Sequence, residues 1–275
     1  MNMASLRSVG QPLMTLRLTM RPLLFLLTIF SATAADLPSA PDELLRRTAK
    51  SVESFWDQLQ AVNCVETVEQ EKLNPNGKPM FRQETDFDYL AILQLTNNDL
   101  IVDESRTLIR QPEHENKLPL LITNGFSTLA FIFHPFYQGG FEFSAPEAVQ
   151  VDGKELFQVK FRHVHGARSP SVLRLRQREY PVEWQGTAWI EPASGAVVRV
   201  SAGLMTSMED IGLKSLTADV RYARVEFSAE QGAHWLPSTA VIEVETPHQR
   251  WRNIHSFGQY KLFSVDVKTG LGSSK

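Results

Sequence analysis

A chain of 275 residues, 43% hydrophobic and 21% charged, has the composition of a globular protein with enough apolar side chain for one or two cores, so a disordered or fibrous chain is excluded. Its formal net charge of −3 argues against a general nucleic-acid binder, which needs a basic surface to neutralise phosphates. The single cysteine, Cys64, excludes an internal disulfide.

The first element is an export signal. Arg17 and Arg21 precede an apolar run over 23–30, and Ala32-Thr33-Ala34 presents the small-x-small pattern of a signal-peptidase site. The run is far short of the roughly 20 residues a membrane-spanning helix needs. The reading is a cleavable signal peptide over 1–34 with no transmembrane anchor, and a periplasmic or secreted protein. No cysteine stands at the cleavage site, so no lipid-modified N-terminus is expected, and Met14 is an alternative start. Cleavage removes Arg7, Arg17 and Arg21 and no acid, which takes the formal charge from −3 to −6.

The mature chain reads as one domain over 35–267 with a flexible tail over 268–275. A helix comes first: Pro41 suits a first helical position, Asp42 and Glu43 favour the positive end of the dipole, and Leu45, Ala49, Val52, Trp56 and Leu59 recur at helical spacing. From Asn63 the period changes to two. Asn74-Pro75-Asn76-Gly77 and Asn97-Asn98-Asp99 punctuate an antiparallel meander. Within it, Glu66 and Glu69, like Asp86 and Asp88, read as outward positions on strands. Cys64 opens an apolar strand and reads as a small buried hydrophobe.

The stretch NGFSTLAFIFHPFYQGGFEF, residues 124–143, then places seven aromatic residues in twenty positions. A short helix over 127–133, stopped by Pro135 and freed by Gly139-Gly140, admits three readings: plain core, a lid over an apolar cavity, or an exposed docking patch. The candidate ligand contacts are Phe126, Leu129, Phe131, Phe133, Phe136 and Tyr137. Strand-like runs follow over 141–151, 156–163, 172–180, 186–191 and 197–203, and three longer ones over 216–227, 235–245 and 252–267.

The run over 172–180 sets Arg174, Arg176 and Arg178 alternately with leucines, so one strand would present three guanidinium groups on one face. They are either a solvated face or an anion contact. His163 and His165 sit two apart, which is two ligands and not a metal site. No Gly-rich nucleotide loop, G-x-S-x-G elbow, H-E-x-x-H helix or Cys-His signature stands in the chain, so no catalytic residue, cofactor or metal is expected.

The strand-turn-strand unit GTAWIEPASGAVVRV (186–200), the terminal HWLPSTAVIEVETPHQRWRNIHSFGQYKLFSVDV (234–267) and the order of elements resemble the LolA-like superfamily of periplasmic lipoprotein carriers. The likeness is nearest to exported bacterial members of uncharacterised function and extends over about residues 40–267. The resemblance implies a mainly β, α+β fold: a single strongly curved antiparallel sheet, a half-barrel, wrapping the N-terminal amphipathic helix and the short aromatic-rich lid. It also implies a non-enzymatic binding protein that holds a hydrophobic small molecule, lipid or lipoprotein acyl chain on the concave face. The alternative is an envelope interaction or sensor module with a filled core, a protein partner and a functional surface. A lined cavity of about 300 Å³ or more favours carriage, and a filled core favours the module.

Overall fold

The computed structural model describes residues 40–96, 99–110, 123–175, 178–228 and 232–263. The expected signal peptide, the expected tail, Arg176 and the side chain of Arg174 lie outside the described residues.

Helix α1 spans Ala40–Gln60, with Asp42 and Glu43 in its first turn. Its buried face is Leu44, Thr48, Ala49, Val52, Phe55 and Leu59: the expected Ala49, Val52 and Leu59 are buried, while Leu45 and Trp56 are only part-buried. Thr48 joins that face. Its hydroxyl donates to the Leu44 carbonyl at 2.9 Å, so a residue that reads as polar loses its need for water and turns inward.

The strands are β1 (Val62–Leu73), β2 (Pro79–Thr96), β3 (Asp99–Arg110), β4 (Phe141–Phe143), β5 (Glu147–Val151), β6 (Lys154–His163), β7 (Val172–Leu175), β8 (Arg178–Pro181), β9 (Trp184–Ile190), β10 (Val197–Leu204), β11 (Ser215–Glu226), β12 (Ala233–Glu245) and β13 (Arg250–Leu262). Eleven form one antiparallel sheet in the order β3-β2-β1-β13-β12-β11-β10-β9-β6-β4, with β5 also on β6. Between β3 and β4 the aromatic stretch forms a 3-10 segment, Phe126–Phe133, and a one-turn helix α2, Pro135–Gln138. Helix α1 packs on β2, β10 and β12, and the 3-10 segment packs on α1, β10, β11 and β12. The sheet therefore curls around both: one curved antiparallel sheet wrapping a helix and an aromatic segment, the expected architecture. No helix among the described residues is long and apolar enough to cross a membrane.

Local chemistry sets the corners. At the β1–β2 turn, Asn74 Oδ1 accepts from the N–H groups of Asn76 and Lys78 at 2.9 and 3.0 Å, and Gly77 takes φ +75°. The Trp189-to-Gly195 turn is closed by Ser194 Oγ donating to Glu191 and by Gly195 at φ +72°, where a Cβ would lie 2.8 Å from the Arg47 backbone of α1. That turn is thus also the seat of the helix.

Two expected strands are broken. The run over 141–151 divides into β4 and β5 at Ala145-Pro146, where proline has no N–H to offer a ladder. The run over 172–180 is a ribbon: β7 pairs with β8, Leu173 opposite Tyr180 and Leu175 opposite Arg178. Arg174 and Arg178 accordingly lie on two strands and do not share one strand face. Alternating leucine and arginine fits one long strand or two short ones, and a part-buried Leu173 against the core decides for the latter.

On the convex face the charges are paired across strands. Glu71 is fully buried between Arg82 of β2 and Arg252 of β13, Arg252 reaches Glu243 of β12, and Glu243 meets Arg250.

Gly186 on β9 tests the packing of the sheet. A Cβ there would stand 2.1 Å from the Ser201 carbonyl oxygen, 2.8 Å from Ala202 Cα and 2.9 Å from Phe161 Cζ. Gly186→Ala is expected to lower stability by at least about 2 kcal/mol, read as a lower urea midpoint with an unchanged slope.

Candidate binding face and its buried charge network

The concave face has an apolar part and a polar part. In the apolar part, Leu129, Phe131 and Phe133 of the 3-10 segment are 0–1% exposed, and Tyr137 is 5% exposed. Phe131 meets Phe55 and Trp56 of α1 with ring centroids 5.8 and 5.5 Å apart, and Phe133 meets Phe143 at 5.1 Å. Phe126 and Phe136 are part-buried, the latter beneath the Arg168 guanidinium at 4.1 Å. The six expected contact residues are thus brought together, as packed side chains under the sheet. A cavity between Val52, Phe55, Ala130, Val197, Tyr222 and Trp235 holds about 10 Å³, room for roughly one water.

The ends of the segment differ. Gly125, at φ +79°, opens it, and Pro135 both ends the 3-10 turn and starts α2 at a position where its missing N–H costs nothing. The far joint is not free, as expected from its two glycines, but anchored. A Cβ on Gly140 would lie 2.9 Å from the Arg168 carbonyl oxygen, and the Gly140 carbonyl accepts from Val164 at 2.9 Å.

The polar part lies at the opening end of the segment, where sequence reasoning placed nothing. Glu66 is fully buried on the concave face beside Cys64 and Val68, not outward. Strict alternation puts residues 64, 66 and 68 on one side of β1, and that parity was the available signal. Its carboxylate accepts from Arg106 of β3 at 2.5 and 2.9 Å and lies 2.7 Å from His255 Nδ1 of β13. Arg106 also donates to Asn124 Oδ1 at 2.6 Å and pairs with Glu104 at 2.9 Å. Tyr89 and Ser127 both hydrogen-bond Glu104, at 2.9 and 3.0 Å, and each other at 2.8 Å.

A second line of bonds runs from Asn253 Nδ2 to Thr123 Oγ1 at 3.0 Å, and from Thr123 to His255 Nε2 at 2.7 Å. Asn253 donates to the Thr123 oxygen, the Thr123 hydroxyl meets one ring nitrogen of His255, and the other ring nitrogen faces the Glu66 carboxylate. A hydroxyl, an imidazole and a carboxylate in line have the geometry of a nucleophile and its base. Here Asn253 donates to the hydroxyl oxygen, the hydroxyl is buried, and Arg106 pairs with the carboxylate. What the line does is hold Thr123, Asn124 and Ser127, the start of the aromatic segment, against β1, β3 and β13.

Burial raises a carboxyl pKa, but the His255 and Arg106 hydrogen bonds outweigh it and hold Glu66 below its ordinary value of 4.5. Burial pushes the Cys64 thiol up to about 12, so it stays a protonated core side chain. His163 is buried with Nε2 3.1 Å from the Arg168 carbonyl oxygen, whereas His165 is exposed and pairs with Glu183, so the two do not converge. Trp184 is fully buried at the segment's edge, 6.3 Å from the Phe126 ring, and its Nε1–H has no hydrogen-bond partner among the described residues.

No protein-family model matches the chain, and no curated protein matches it. Among solved structures it is similar to a LolA superfamily protein from Nitrosomonas europaea, at 9% identity over 79% of this chain and 94% of that one, with TM-score 0.35. It is similar to a domain named for outer membrane lipoprotein sorting from Vibrio parahaemolyticus, at 11% identity over 83% and 94%, with TM-score 0.36. A DUF1329 family protein from Desulfovibrio piger matches at 9% identity over 82% and 94%, with TM-score 0.36. Likeness at these scores is loose, and the choice of function rests on the residues above.

Arg106→Met strands two buried carboxylates, Glu66 and Glu104, and is expected to cost about 3–5 kcal/mol, of which adding Glu66→Leu recovers only the Glu66 part, both read by urea unfolding at pH 7. Glu66 is depressed in the folded state, so its contribution is complete above pH 4.5 and is lost as the pH falls through the lower folded value. Glu66→Gln should accordingly flatten the stability profile below pH 4.5.

Proposed function

We propose that this protein is an exported, non-enzymatic binding protein that takes an acyl chain or similar hydrophobic ligand onto the concave face by displacing the 3-10 segment. The observation that carries the reading is the segment itself. It is apolar, forms no strand pairing, and is latched by polar ties at one end and anchored at Gly140 at the other.

Magnitudes favour an exchange. Releasing Leu129, Phe131, Ile132 and Phe133 from the core costs roughly 1.5–3 kcal/mol each, so roughly 6–12 kcal/mol together. A chain of about 15 methylenes contributes about 0.8 kcal/mol for each one buried, a similar sum. Ligand and segment are then near-balanced competitors for one surface. The unpartnered Trp184 N–H adds to the balance, since a ligand oxygen could satisfy a donor that the segment leaves unmade.

The water-sized cavity favours a second reading, the interaction or sensor module with a filled core. Under it the surface carries the function, and arginines of the β7–β8 region, Arg174, Arg176 and Arg178, are the proposed anion contact for a partner in the envelope.

The two readings separate on Ser127→Ala. That change removes a tie of the segment, and Tyr89 still donates to Glu104 at 2.9 Å, so no buried partner is orphaned. If the ligand displaces the segment, Ser127→Ala should bind a fluorescent fatty acid roughly three- to tenfold more tightly while its urea midpoint falls, because a competitor has been weakened. Absence of saturable binding by either the unmodified protein or the variant rejects carriage.

A further inference from the structure

The concave face changes its chemistry from one strand to the next. Gln83 of β2, Gln70 of β1 and Asn253 of β13 stand opposite one another on the side of Cys64 and Glu66, and the adjoining row holds Thr85 and His255 with Val68 between them. The same two rows continue through β12, β11 and β10 as Ile242, Ala218 and Ala202, and as Ala240, Val220 and Val200. One face is therefore polar across β2, β1 and β13 and apolar from β12 onward. Displacing the aromatic segment uncovers the apolar half and withdraws Thr123, Asn124 and Ser127 from the polar half. A plain hydrocarbon would satisfy only the first, because buried polar groups left without partners cost free energy.

The three withdrawn side chains say what the polar half accepts. Asn124 offers Arg106 a carbonyl oxygen at 2.6 Å. Thr123 offers a hydroxyl to Asn253 Nδ2 at 3.0 Å and to His255 Nε2 at 2.7 Å. Ser127 donates a hydroxyl to Glu104 at 3.0 Å and meets Tyr89 at 2.8 Å. One carbonyl and two hydroxyls, all uncharged, are what the chain supplies to its own sheet here. A separate acceptor also calls for a hydroxyl: Gln83 Oε1 is buried and has no hydrogen-bond partner among the described residues.

Charge argues against an ionic head. Glu66 and Glu104 set two carboxylates against the one guanidinium of Arg106, which leaves one negative charge in excess when His255 is neutral and none when it is protonated. In neither state is positive charge left over for a carboxylate or a phosphate. An ammonium head fails for another reason, since it brings only donors to Arg106 and Asn253, which need acceptors.

We propose that the polar half is a head-group site for an uncharged amphiphile that carries hydroxyls and a carbonyl, a monoacylglycerol being the simplest. Arg106 takes the carbonyl oxygen, Asn253 and His255 one hydroxyl, and Glu104 with Tyr89 the other, while the chain lies over β12 to β9. This assignment rests on displacement of the segment by an acyl chain.

A monoacylglycerol and the free fatty acid of the same chain length, each titrated calorimetrically into the purified protein below its micelle concentration, test the two claims separately. The cost of moving the segment is common to both, so the ratio of their dissociation constants reads the head group alone. At pH 7 the monoacylglycerol should bind at least about tenfold more tightly. Glu66→Gln keeps the side-chain shape and removes a negative charge, so it should cut that ratio about threefold or more by tightening the fatty acid. If the variant does not fold, the ratio in the unmodified protein decides by itself. Equal affinities, a tighter fatty acid, or a ratio unmoved in folded Glu66→Gln overturns the head-group site and leaves carriage standing. Saturable binding of neither overturns carriage, and the head-group site with it.

Discussion

An open antiparallel sheet of eleven strands has one face turned inward by its curvature, and that face must be kept from water by something the sheet does not supply. A sandwich meets the need with a second sheet. This chain meets it with helix α1 from before the first strand and the aromatic segment from between β3 and β4. Every other feature of the interior follows: the small Ala188, Ala202, Ala218 and Ala240 on the sheet leave depth for large side chains brought in from outside it, among them Phe55, Phe131 and Phe133. The cover is local in sequence and makes no ladder hydrogen bonds to the sheet, so its attachment is hydrophobic with a few polar ties. That combination can be stable and still exchangeable.

The polar ties explain why a carboxylate is buried at all. Taking Glu66 out of water is costly, and replacing such a pair with apolar groups is often neutral or better for stability. What an apolar replacement could not do is fix direction. Arg106 has one face on Glu66 and another nitrogen on Asn124, while His255 joins Glu66 to Thr123. Strands at the sheet's edge and centre are thereby keyed to the start of the segment, and Tyr222 of β11 accepts from the Ala130 N–H within it. The other end needs no such key, because close backbone packing at Gly140 already holds it.

Most of the architecture was legible in periodicity and turn chemistry. Helix α1, the β1–β2–β3 meander and the long strands β11 to β13 stand where their patterns put them, since period and punctuation are local properties of a chain. What could not be read was whatever depended on distant partners. Glu66 shares the inward parity of Cys64 and Val68, but what satisfies a carboxylate there is seen only when β3 and β13 bring Arg106 and His255 to it, from 40 and 189 positions away. The arginines of 172–180 looked like one face of one strand because alternation does not record where a chain reverses. Thr48 looked polar because a bond to its own helix is invisible in a hydropathy pattern. The aromatic residues were recognised as a group, but whether they line a space or fill it is a matter of volume, which sequence does not carry.

The placement of β13 has a consequence for how the molecule is made. It lies between β1 and β12, and its pairing with β1 joins Val62 to Leu262 and Leu73 to Arg250. Strand β1 therefore waits for β13 before its second side is paired, and until then the β1–β3 meander is not joined to the rest of the sheet. Contacts of such separation make folding slow and all-or-none at the seam. A chain cut short before residue 250 would lose more than β13, because Glu66 would lose His255 and the meander its pairing to the rest of the sheet.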